Sequence, residues 1–111
     1  DAVFVDALAR AALAVWDLEA LYAEFAELAK AGKEFGADVA LLKIWSTEIY
    51  QRLSEMIFAA SGEFAAIPGA ANDSGVDALA HYYNARPAPI YAGSNEIQRN
   101  IIARHTLKLP A

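Results

Sequence analysis

Two long stretches with an apolar residue every three to four positions, separated by only a short turn, constrain this chain more than any other feature. From about Phe4 to Ala31 the larger apolar side chains fall at Leu8, Val15, Leu18, Tyr22, Phe25 and Leu28, with Leu21 beside them. That spacing is one face of an amphipathic helix several turns long. Asp17, Glu24 and Glu27 occupy the opposite face, while Lys30 and Gly32 supply a cation and a residue tolerant of the left-handed conformation, both suited to a helix end. After the Gly32–Gly36 turn the pattern resumes at Val39, Leu42, Trp45, Ile49, Leu53, Met56 and Ala60, with Asp38 in its first turn and Gly62 to stop it. Two long helices joined so tightly must lie antiparallel and bury their stripes against each other. The predicted fold class is all-α, an up-and-down helical bundle.

The remainder is less regular. From Gly62 to Asp73 there is no sustained period, and Pro68-Gly69 is a turn signal, so this segment reads as a loop. Asp73 or Ser74 is placed to cap a short helix through Ala78, Leu79, Tyr82 and Tyr83; Pro87 and Pro89 end it and predict extended backbone up to Tyr91. A last helix opens at Ser94 or Asn95 and runs to about Thr106, before Leu109-Pro110. With Asn95 as the N-cap, Gln98 stands at the third helical position in a variant of the reciprocal capping box. The 111 residues leave room for one core, so 1–111 reads as a single domain. With no initiator Met, and with Asp1 to Val5 running straight into a helical pattern, the expectation is a piece of a longer protein.

Charge and residue usage narrow the function classes. The net charge of -5, with no block of Lys or Arg, lacks the phosphate-neutralising surface that nucleic-acid binding requires. No apolar run approaches the roughly 20 residues that span a bilayer, and Asp1 and Asp6 stand where a signal peptide carries bases. The expectation is a cytoplasmic protein without membrane insertion. Cysteine is absent, which excludes disulfides and thiolate ligands. His81 and His105 have no partner at metal-ligand spacing, so no metal site is expected; the first fits a packed aromatic face and the second the favourable end of a helix dipole. Trp16, Trp45, Tyr22, Tyr50 and Phe58 read as core or interface.

The run Ile90-Tyr91-Ala92-Gly93-Ser94-Asn95-Glu96-Ile97-Gln98-Arg99-Asn100-Ile101-Ile102-Ala103-Arg104 carries the chemistry. A turn entering a helix has unpaired backbone N–H groups and the positive end of a dipole, which together hold an anion or polarise a carbonyl. Gly93 lets a ligand approach the backbone, and the Ser94 hydroxyl donates to a ligand or accepts from the helix. Gly followed by Ser-Asn also begins many ordinary helices. The full run, with the Leu109-Pro110 ending, resembles the C-terminal signature of the acyl-CoA dehydrogenases, flavoenzymes that oxidise acyl-CoA thioesters to 2-enoyl-CoA.

The resemblance implies a C-terminal helical-bundle domain of an FAD-dependent acyl-CoA dehydrogenase, truncated on its N-terminal side and part of a homo- or hetero-oligomer. By position, Tyr91 would flank the acyl chain of the acyl-CoA substrate and the Gly93 backbone would lie near it, while Ser94 and Glu96 would contact FAD. Many members carry the catalytic glutamate directly after the tyrosine, where this chain has Ala92, and a methyl group cannot accept a proton. Glu96 reads as a helix-dipole or FAD contact ahead of a substitute base, and Arg99 and Arg104 as solvated or interface arginines. A second departure is Ala60-Ser61-Gly62-Glu63-Phe64, which keeps one glycine and lacks the glutamine that typical members place near the flavin's adenine half. The competing expectation is a non-catalytic helical subunit of a paired dehydrogenase. In either case the expected electron acceptor is not legible.

Overall fold

The computed structural model describes residues 1–67 and 77–110, and helices are the only regular elements among them. Helix α1 spans Ala2–Lys30, α2 Ala40–Ala60, α3 Ala78–Ala85 and α4 Asn95–Ile101, with a π-helical turn continuing α4 over Ile102–Thr106. Short 3-10 turns lie at Ala37–Val39 and Gly62–Ala66. The expected hairpin of two long helices is present. No helix among the described residues is long and apolar enough to cross a membrane.

The end of α1 is set by Gly32, whose φ of +65 is one that a side chain disfavours. Its N–H donates to the Ala29 carbonyl at 3.0 Å, and the Lys33 N–H reaches back to Leu28 at 3.0 Å, so two otherwise unpaired carbonyls of the last turn are satisfied. The chain then folds Phe35 back onto Phe25, edge to face, with ring centroids 5.8 Å apart. Phe25 is the only residue of α1 that is fully buried, at 5 % exposure.

Three local expectations change. The segment after α2 opens as a 3-10 turn, Gly62–Ala66, rather than as irregular loop. Pro68 and Gly69, and the expected caps Asp73 and Ser74, lie outside the described residues; the observed cap of α3 is Asp77, whose carboxylate accepts from the Ala80 N–H at 2.9 Å. Between Pro87 and Tyr91 the backbone is not extended. It coils, with the N–H groups of Ile90 and Tyr91 both donating to the Pro87 carbonyl, at 2.9 and 3.2 Å. Proline at the start of a turn fixes the φ such a turn needs, and its carbonyl stays free to accept.

Helix α2 is the middle of the molecule. Leu42, Ile49, Leu53 and Met56 lie toward α1, the first beside Val15, Leu18 and Tyr22 of that helix and the other three beside Ala7, Ala11 and Ala14. Lys43, Thr47, Gln51 and Ser54, spaced four, four and three residues apart and hence on one side, bond to α3 and α4 instead. The expected stripe on α1 is therefore only partly covered: Leu8 and Tyr22 are exposed and Phe25 is not. Leu8, Val15 and Tyr22 recur every seven residues, and a straight helix drifts about 20° per such repeat, so the series walks off the seam. Of the aromatic set expected in core or interface, Tyr50 and Phe58 are half-buried, whereas Trp45 and Tyr22 are exposed and Trp16 is at 62 % exposure; His81, expected on a packed aromatic face, is exposed.

The long axis measures 48 Å and the radius of gyration is 17.1 Å, against about 13 Å for a spherical domain of this length. The accessible surface of 7724 Å² is about 30 % above the value expected of a folded monomer of this mass. With so thin a core, Phe25 carries much of the α1 attachment. Phe25→Ala is expected to destabilise the chain by about 3 kcal/mol, measured as the shift in a urea unfolding curve; a loss under about 1 kcal/mol would show that α1 is held elsewhere.

Candidate functional site

The segment that carries the signature is fastened at both ends to the polar side of α2. At its start, Arg86 donates from Nη1 to Glu55 Oε1 at 2.7 Å and from Nη2 to Ser54 Oγ at 3.4 Å. Its guanidinium lies 4.5 Å from the centre of the Tyr82 ring, which itself stacks on Phe58 with centroids 4.8 Å apart. Gln51 completes the knot by donating to the Arg86 carbonyl at 3.4 Å. Ala85 and Ala88 on either side are fully buried, so the chain passes here without room for a larger residue.

At its other end, Asn95 is buried to 2 % exposure at the first position of α4. Its Oδ1 accepts from Lys43 Nζ at 2.7 Å, and its Nδ2 donates to Thr47 Oγ1 at 3.0 Å. The Thr47 hydroxyl has one proton, and the Lys43 carbonyl at 2.8 Å is its nearest acceptor, so the oxygen is left to accept from Asn95. The three residues thus form a closed ring of donors and acceptors across α2 and α4. Arg99 pairs with Glu48 one turn further along, between partly exposed groups.

Between these anchors lie Tyr91, Ala92 and Gly93, all exposed. Ala92 and Gly93 have φ of 54 and 85, two consecutive left-handed residues. For alanine this conformation costs about 1 to 2 kcal/mol. Gln98 crosses over the turn and donates to the carbonyls of Ala92 and Gly93, at 3.5 and 3.4 Å. The φ of Gly93 favours glycine here, and a Cβ would also meet Gln98 Nε2 at 2.7 Å, so that the Gln98 side chain would have to move off the turn.

Ser94, not Asn95, is the N-cap of α4, its hydroxyl oxygen accepting from the Ile97 N–H at 3.4 Å. The capping box expected from Asn95 and Gln98 does not form, because Asn95 turns inward and Gln98 reaches the turn. Glu96 is exposed, and its carboxyl is held below the usual carboxylate range by its own backbone N–H, then by the Ser94 hydroxyl, with Arg99 and Lys43 adding attraction. A carboxylate so stabilised is a weak proton acceptor. Tyr91, Ala92, Gly93, Ser94 and Glu96 therefore share one short exposed edge, with Arg104 on the π-helical turn beyond.

A family model described as the acyl-CoA dehydrogenase C-terminal domain matches residues 2–107. The chain belongs to that family. No curated protein matches it significantly, and no solved structure does. As an acyl-CoA dehydrogenase C-terminal domain, it is matched across the whole Tyr91–Glu96 turn, where Ala92 is exposed. Lys43, Thr47 and Arg86, which fix the turn, carry no signature of their own. The polar spacing of Lys43, Thr47, Gln51 and Ser54 inside an otherwise apolar helix was the available signal.

Ser94 is thus expected to add to the backbone N–H in holding the Glu96 carboxyl low. Ser94→Ala should raise the Glu96 pKa toward the ordinary glutamate value in a carboxyl NMR titration; an unmoved titration would mean that the backbone N–H alone sets it. Because the folded pKa is the lower one, the stabilisation from Glu96 is present above the usual glutamate range and is lost as pH falls through the folded value.

Proposed function

We propose that this single domain serves the edge of the flavin and acyl-CoA site of an FAD-dependent acyl-CoA dehydrogenase and contributes to its subunit interface. The observation that carries this reading is the juxtaposition, in a chain matched to the family over residues 2–107, of Tyr91, Gly93, Ser94 and Glu96 on one exposed turn. FAD, when bound, supplies the acceptor for the hydride that leaves the beta carbon. Ser94 and the ionised Glu96 are suited to contacting its polar groups, and both fit a ligand that brings hydrogen-bond donors. Tyr91, half exposed, offers an aromatic wall to an acyl chain, and the Gly93 backbone a polar edge to the thioester.

Removal of the alpha proton needs a carboxylate within hydrogen-bonding reach, and neither Ala92 nor Glu96 answers that need. The base of the working enzyme accordingly comes from outside these residues. Ala92 equally favours a second reading, in which the domain belongs to a non-catalytic subunit of a paired dehydrogenase. The purified chain is expected to be colourless and without acyl-CoA dehydrogenase activity; a yellow, active preparation would overturn this assignment of the base. In the enzyme that carries the domain, Ser94→Ala and Glu96→Gln are each expected to weaken FAD binding, and unchanged affinity in both would sink the flavin-edge reading.

The interface proposal rests on α1. Val5, Leu8, Leu13 and Trp16 are exposed on a helix already apolar toward α2, and a helix apolar on more than one side is one that buries more than one side. Sedimentation should find self-association at micromolar concentration, shifted toward monomer by Trp16→Glu. A monomer that persists at high concentration would count against it.

A further inference from the structure

We propose that Asn95 is a positioning residue for the site on the Tyr91–Glu96 turn, acting through its ring of hydrogen bonds with Lys43 and Thr47; this rests on the flavin-edge reading above. Successive side chains of a helix diverge by about 100°, so the direction of one fixes the directions of its neighbours. With the Asn95 amide drawn inward onto α2, Ser94 is left to cap the helix and Glu96 to face solvent. The strand of chain before it is tied at the same point, because the Asn95 N–H donates to the Pro89 carbonyl at 2.8 Å. Asn95 therefore fixes the left-handed pair Ala92–Gly93 from one side while Gln98 holds it from the other.

The amide is matched to its place on both atoms. Lys43 Nζ requires an acceptor and Thr47 Oγ1 a donor, and only a group bearing both satisfies the two together. No buried side-chain nitrogen or oxygen among the described residues lacks a partner, and a replacement that loses these bonds takes the acceptor from Lys43 Nζ and the donor from Thr47 Oγ1, which keeps only its own bond to the α2 backbone. Lys43 also brings a positive charge that favours the ionised Glu96, which couples the ring to the exposed edge.

Amide hydrogen exchange on this chain tests the placement. Asn95→Leu keeps the bulk and removes both bonds, whereas Asn95→Asp keeps the acceptor for Lys43. The leucine variant is expected to accelerate exchange in α4 by about tenfold or more relative to α1 and α3, with the aspartate variant restoring most of the protection. Equal acceleration in every helix, or none in α4, would overturn the proposal. In the flavin-bound enzyme, Asn95→Leu is expected to weaken FAD binding by about tenfold although Asn95 itself is buried away from solvent. Unchanged affinity in Asn95→Leu, where Ser94→Ala and Glu96→Gln do lower it, refutes the positioning role and leaves the flavin reading standing. Unchanged affinity in all three removes the flavin reading and the proposal with it.

Discussion

The polar side of α2 is what the rest of this molecule hangs on. A helix at the centre of a small bundle ordinarily presents apolar residues to its neighbours, but α2 meets α3 and α4 through Lys43, Thr47, Gln51, Ser54 and two glutamates. Hydrogen bonds contribute modestly when made and cost more when a buried partner is lost. They also fix direction, which dispersion contacts do not. The signature turn is accordingly held in a defined orientation, between Arg86 at one end and Asn95 at the other, although almost nothing packs over it.

The apolar side of α2 has the opposite character. Alanine at positions 7, 11 and 14 lets α1 approach closely, yet on the α1 side only Phe25 is completely buried, and clefts of about 460 and 540 Å³ run along the two flanks of the hairpin. Both clefts lie along the helices rather than at the signature turn. These open flanks go with the elongated shape and the excess accessible surface.

The long helices were legible because a three-to-four period sustained over many turns admits one interpretation, and Gly32 and Gly62 announce their ends. The signature turn was legible through its resemblance to a family, which the match over residues 2–107 bears out. The cap of α3, the coil after Pro87 and the role of Gln98 were not. Each depends on competition among neighbouring donors and acceptors: Asp77 wins the cap by its distance from Ala80, and Asn95 cannot cap α4 once Lys43 and Thr47 have claimed its amide.

By itself, then, the sequence determined that this chain is helical, that its first two helices form a hairpin and that a turn of the acyl-CoA dehydrogenase type opens its last helix. Periodicity and a family motif are local properties, readable residue by residue. Only the tertiary structure decided that Asn95 points inward while Ser94 and Glu96 point out, that Ala92 and Gly93 both adopt left-handed backbone, and that α1 leaves a second apolar side exposed. Those outcomes depend on which residues 48 positions apart in the chain come within hydrogen-bonding distance, and no local pattern encodes that.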